Sequence, residues 1–142
     1  MKKHILILFA LALYASIGTA QTDILGKWKT IDDETGKEKS IVELFMKGDK
    51  LYGKIIQLFR EPDEEPDPLC KECTDDRKDQ RVIGMEIVRD MESDDDEWED
   101  GSICDPKNGK VYDCKMWLED GNLKVRGYVA FFYRTQTWLP AN

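Results

Sequence analysis

Histidine is almost missing from this chain: the single one in 142 residues is His4, inside the apolar start. Beyond it there is no imidazole to serve as general base, metal ligand or haem ligand, so Ser/His/Asp and Cys/His catalysis are excluded for the body of the protein. Positive charge is also short. Lys and Arg number 21 against 29 Asp and Glu, a formal net charge of −8. Phosphate backbones and anionic headgroups repel such a surface, which argues against nucleic-acid and peripheral membrane binding. No segment of helical period follows the first 20 residues, so the body reads as all-β. No cysteine lies just behind the apolar start, so lipoprotein anchoring is not indicated.

What is present begins with a charged and then apolar N-terminus. Met1 to His4 are basic, Ile5 to Ala15 are almost wholly apolar, and Gly18-Thr-Ala20 supplies small residues. That order predicts a cleavable secretory signal over residues 1–20, and its apolar part is shorter than the roughly 20 residues of a bilayer span. The mature chain then starts near Gln21 with 142 − 20 = 122 residues and, without Lys2 and Lys3, a charge of −8 − 2 = −10. This is one domain, 21–142, in a periplasmic or secreted setting with no membrane insertion once the signal is gone.

The strands are legible from alternation and turns. Asn108-Gly109 and Asp120-Gly121 are hairpin signals, and together they make a meander from Gly101 to Tyr128. A two-residue turn at Asp120-Gly121 pairs Leu118 with Leu123 and Met116 with Val125, apolar on apolar. Gly48-Asp49 likewise pairs Met46 with Leu51, Leu44 with Gly53 and Val42 with Ile55. A first strand from Ile24 turns the Trp28 row inward, Val82 to Met91 resumes the pattern, Trp98 leads into the meander, and Thr135 to Leu139 closes the series. Eight short antiparallel strands predict an up-and-down barrel, with a sandwich as the alternative. Arg60 to Arg81, long, polar and proline-rich, reads as a lid or a disordered loop. Phe131-Phe132-Tyr133 cannot all face one side of a strand; the run is expected to plug the barrel end near Trp28, an exposed run being the sign of a partner surface.

Four cysteines allow three full pairings. With Asn108-Gly109 as a two-residue turn, Cys114 faces Ile103 and Cys104 faces Asp113 on opposite faces of the sheet, so a Cys104–Cys114 bridge is not expected. A Cys70–Cys73 disulfide is, with Cys114 left as a buried thiol. The acidic neighbours Glu72, Asp75 and Asp76 and the lack of a following helix argue against a redox-active Cys-x-x-Cys. The acidic runs 63–67 and 94–97 match no calcium-loop spacing, and the cysteines lack a zinc spacing, so no metal or other cofactor is expected.

Several stretches resemble a bacterial secreted family of unknown function, numbered 2147: Leu25-Gly-Lys-Trp-Lys-Thr-Ile-Asp-Asp-Glu-Thr-Gly36, Ser40-Ile-Val-Glu, Lys50-Leu-Tyr-Gly-Lys-Ile55, the Cys70 and Cys73 pair, Asp105-Pro-Lys-Asn-Gly-Lys-Val-Tyr-Asp-Cys114, Leu123-Lys-Val-Arg-Gly-Tyr128 and Arg134-Thr-Gln-Thr-Trp138. The resemblance implies a lipocalin-like, eight-stranded antiparallel barrel and brings no activity or catalytic residues. Gly26-x-Trp28 also looks like the lipocalin entry motif, whose tryptophan is stacked by a late arginine; Arg134, then Arg126, are the candidates. An interior of eight strands is either filled or holds one small ligand. The expected function is binding of a small apolar or amphipathic molecule, with Trp28, Leu44, Met46, Leu51, Ile55, Met85, Tyr112, Met116 and Val125 as wall candidates. The alternative is a filled barrel that meets a protein partner through its acidic loop or aromatic run; an enzyme built on carboxylates ranks last.

Overall fold

The structure is a computed structural model that describes residues 24–142; the signal expected over residues 1–20 lies outside them. Eight antiparallel strands follow in chain order: β1 (Gly26–Ile31), β2 (Glu38–Lys47), β3 (Lys50–Leu58), β4 (Glu86–Asp94), β5 (Glu97–Asp105), β6 (Lys110–Glu119), β7 (Asn122–Val129) and β8 (Phe132–Pro140). Each pairs with the next, and β8 returns to β1, closing the barrel. The sandwich alternative is thereby removed. No helix interrupts the described residues.

Turn chemistry sets the registers. Met46 pairs with Leu51, Leu44 with Gly53 and Val42 with Ile55 around Gly48-Asp49, whose glycine has φ +65°. Glu119 pairs with Asn122, Leu118 with Leu123 and Met116 with Val125 around Asp120-Gly121. These are the expected pairings. The β5–β6 turn is different: Asp105 pairs with Lys110, so four residues, Pro106 to Gly109, make the turn instead of two. The Asp105 carboxylate accepts from Lys107 N at 3.0 Å and its carbonyl from Gly109 N at 2.7 Å, which caps the longer turn. Cys104 therefore faces Val111 and Cys114 faces Gly101. Because the register moves by two, both cysteines keep their faces, and both are free thiols.

Three turns close one end of the barrel, β2–β3, β4–β5 and β6–β7, and each has two residues at its tip. Large inward side chains fill that half: Trp28, Leu44, Leu51, Met91, Trp98, Met116 and Leu123 are all buried. Trp28 donates its indole N–H to the Ile24 carbonyl at 2.8 Å. Gly53 belongs to this layer, since a Cβ there would come within 2.7 Å of Leu44 and 3.1 Å of Val88.

The longer connections gather at the other end. The largest, between β3 and β4, is ordered, which removes the disordered reading of Arg60 to Arg81. Leu69 bridges to Arg81, Cys70 N donates to Gln80 O at 2.8 Å and Val82 N to Pro68 O at 2.9 Å. The expected strand start at Val82 belongs to this flap, and β4 begins at Glu86. The Cys70–Cys73 disulfide is present, with both residues buried. Arg77, 2% exposed, anchors the flap by donating to Glu86 O at 3.1 Å and pairing with Asp75 at 3.0 Å. Asp76 and Arg89 add a two-pronged pair at 2.7 and 2.9 Å.

Candidate functional site

Inward side chains become smaller or polar toward the long-loop end, and a cup opens there. Thr30 on β1 lies opposite Ser40 on β2, where larger residues would have continued the core. Gly127 on β7 lies opposite Arg134 on β8 and carries no side chain into the interior. The result is a cavity of about 610 Å³, within the size range of small-molecule sites. Half of the barrel is filled and half is hollow.

The lower cup is mostly apolar, formed by Ile55, Ile87, Ile103, Val125 and Trp138, with Tyr112 on the wall. Its main polar feature is the buried Thr30–Ser40 hydroxyl pair, 2.6 Å apart, which satisfies itself. Trp138 donates its indole N–H to Gln136 Oε1 at 3.1 Å, so the floor tryptophan is also satisfied. Charge appears only at the rim, where Asp32, Asp33, Glu34 and Asp105 stand with Lys39, Lys107 and Arg134.

The rim carboxylates have distinct jobs. Asp32 caps the β1–β2 turn by accepting from Thr35 N at 2.8 Å, Thr35 Oγ1 at 3.0 Å and Glu34 N at 3.0 Å. Those donors, Thr35 N first, hold its pKa below the ordinary aspartate value. Asp33 reaches instead to β8: Arg134 Nε donates to Asp33 Oδ2 at 2.9 Å and Gln136 Nε2 at 2.8 Å. The hydrogen bond to Asp33 holds the Arg134 guanidinium above its ordinary value. This contact spans a weak place in the wall. The β1–β8 ladder consists of Trp28 opposite Pro140 and Lys29 opposite Leu139, so toward the mouth the two strands part and Asp33 latches across the gap.

The expected arginine stack on Trp28 is not formed. Arg134 is at the opposite, open end, and Arg126 lies on the outer face over Trp117 and Tyr133, 4.8 and 4.2 Å from the ring centres. The register decides this, because Arg126 pairs with Thr135 on the outward row. The aromatic run does not plug the barrel. A two-residue turn at Ala130-Phe131 joins β7 to β8 and lifts the run to the rim, with Phe131 98% exposed and Phe132 80% exposed. Trp28, at the filled end, is out of its reach.

Of the nine wall candidates, Ile55, Tyr112 and Val125 line the cup. Trp28, Leu44, Leu51 and Met116 are buried in the filled half, and Met85 is buried beside Ile55, whose N–H bonds its carbonyl at 3.0 Å. Met46 is 37% exposed, one residue pair from the Gly48-Asp49 tip, where the hairpin outruns the packed layers. Thr30, on the inward Trp28 row, and Ser40, Gly127 and Gln136 also line the cup but are not among the wall candidates. Their shared signal is a small or polar residue on an otherwise apolar inward row. Among the described residues no group of three or more His, Cys, Asp or Glu side chains could hold a metal ion.

A closed eight-stranded antiparallel barrel with one filled end and one cup is a lipocalin-like barrel. The chain belongs to the bacterial family described as "Uncharacterized protein conserved in bacteria (DUF2147)", which it matches over residues 26–139. Among solved structures it is similar to HP1028 from the human pathogen Helicobacter pylori, described as belonging to the lipocalin family. The TM-score is 0.69 at 18% identity, over 83% of this chain and 82% of that one. No curated protein matches it.

Proposed function

We propose that this protein binds one small amphipathic molecule in its cup, apolar part on the floor and polar end at the rim. The observation that carries this reading is the 610 Å³ cavity with an apolar floor and charges confined to its mouth. Burying an alkyl or ring system there gains roughly 0.8 kcal/mol per CH₂, while a polar end stays among Asp33, Arg134, Lys39 and Lys107 and keeps its hydration. The signal-like start, the disulfide and the bacterial family favour a periplasmic or secreted setting, where disulfides persist. The lipocalin-like fold agrees with carriage of a small ligand.

Native mass spectrometry of the mature protein from its own producing cells, before and after organic extraction, tests this. A removable bound mass is the expected result and gives the ligand class. No bound mass, together with no binding of apolar fluorophores, refutes it.

The exposed aromatic turn favours a second reading, a protein partner at the rim. Phe131→Ser leaves stability within about 0.5 kcal/mol, as for other exposed positions, and under this reading abolishes cross-linking to a partner. Unchanged cross-linking refutes it.

A further inference from the structure

Three of the four cysteines converge where the flap meets β5, and one of them, Cys104, also borders the cup. Cys104 sits on the outward row of β5, buried beneath the flap, and its Sγ lies 4.0 Å from Cys73 Sγ, itself bridged to Cys70. Cys70 Sγ is 3.4 Å from the Pro106 carbonyl in the β5–β6 turn. The flap is held at this spot by close backbone approach: Gly109, at φ +72°, faces Glu72 so closely that any Cβ would collide with its carbonyl.

We infer that Cys70, Cys73 and Cys104 form a thiol–disulfide exchange centre, in which the bridge moves between Cys70–Cys73 and Cys73–Cys104. Cys104 gives up its proton and its sulfur attacks Cys73 Sγ. The Cys70–Cys73 bond breaks, its electron pair leaves on Cys70 Sγ, and Cys70 takes up a proton from solvent. One disulfide and one thiol stand on each side, so no outside oxidant or reductant is consumed. Bond formation requires the sulfurs to close from 4.0 Å to about 2.05 Å, a movement within the reach of side-chain rotation and a small flap shift. Fixed proximity in the folded protein gives this pair the high effective concentration of an intramolecular reaction. Burial pushes the Cys104 thiol up, the Arg77 and Arg89 guanidiniums pull it the other way, and the Asp75 and Asp105 carboxylates push it up again, so exchange is slow and favoured in mildly alkaline solution. Cys114 takes no part: it faces inward on β6, and burial pushes its thiol up to about 12.

The two bridges do different mechanical work. Cys70–Cys73 ties residues three apart within the flap. Cys73–Cys104 would staple the flap to β5 between Ile103 and Asp105, both at the cup. Exchange thus converts a local tie into a link between flap and mouth.

The test uses the oxidised, full mature chain, held under native, mildly alkaline conditions and then quenched into denaturant with N-ethylmaleimide for peptide mapping. The expected result is a Cys73–Cys104 bridged peptide that grows with time, with maleimide on Cys70; in Cys104→Ser the Cys70 label is lost. Labelling confined to Cys104 and Cys114 at all times overturns the proposal. So does any bridge to Cys114, which only unfolding could permit. If Cys104→Ser fails to fold, the bridged peptide of the unaltered chain decides by itself.

Discussion

Gly127→Phe is the sharpest probe of the cup. Gly127 lies on the inward row of β7, and a Cβ there would stand 3.5 Å from Tyr112 Cβ and 3.9 Å from Ile103 Cγ2, ordinary contact with no backbone to displace. A phenyl ring built on it has only the cavity to enter. It occupies on the order of 100 Å³, about a sixth of the 610 Å³ available, and so displaces roughly four methylenes of any bound apolar chain. At about 0.8 kcal/mol per CH₂ the loss is about 3 kcal/mol, a weakening of binding on the order of a hundredfold. Stability moves the other way, because a strand glycine is entropically costly and its replacement gains about 0.5–1 kcal/mol. The assay pairs a titration with N-phenyl-naphthylamine against a thermal melt. A variant that melts no lower than the parent yet binds within about threefold of it places the probe elsewhere and refutes the reasoning.

Asp33→Asn weakens the latch across the β1–β8 gap; stability falls by less than about 1 kcal/mol because the pair is exposed, whereas ligand dissociation accelerates in stopped-flow displacement. Arg77→Met removes a buried donor from Glu86 O and an ion pair from Asp75; it costs about 2 kcal/mol by denaturant titration, discounted for the partly exposed carboxylate, and flap amides exchange faster. Asp75 and Asp76 have folded-state pKa values below the ordinary 3.8, from the Arg77 backbone N–H and the Arg89 side chain respectively. A depressed carboxylate contributes stability that is complete above its unfolded value and lost as pH falls through the folded one, so the flap loosens below about pH 4, read as rising hydrogen exchange at residues 68–82.

Legibility followed the turns. At the closed end, Gly48-Asp49 and Asp120-Gly121 are short, require positive φ and admit little but a two-residue hairpin, so their registers and the apolar rows they align could be read directly. At the open end the β5–β6 turn contains the same Asn-Gly signal, yet Asp105 caps a longer turn, and a competing side-chain bond of this kind is not visible in a dipeptide. Ala130-Phe131 carries no turn signal at all; Ala130 takes φ +51° because the strands on either side are already paired. Alternation, which marks the wall candidates, reports the inward row without reporting height along the barrel axis. Three of them fall beside the cup, and Trp28, Leu44, Leu51 and Met116 fall in the filled layer.

The sequence by itself determined the all-β class, the number of strands, two hairpin registers and the pairing of Cys70 with Cys73, because each depends on contacts between residues near in the chain. Tertiary structure decided the rest. Where the interior is hollow depends on which inward residues share a level, and that sets Thr30 against Ser40 and puts Gly127, with no side chain, opposite Arg134 at the rim. The Asp33–Arg134 latch joins residues a hundred and one positions apart, and Cys73 meets Cys104 only because the flap folds back onto β5. Barrel closure creates these neighbours, and no local spacing encodes them.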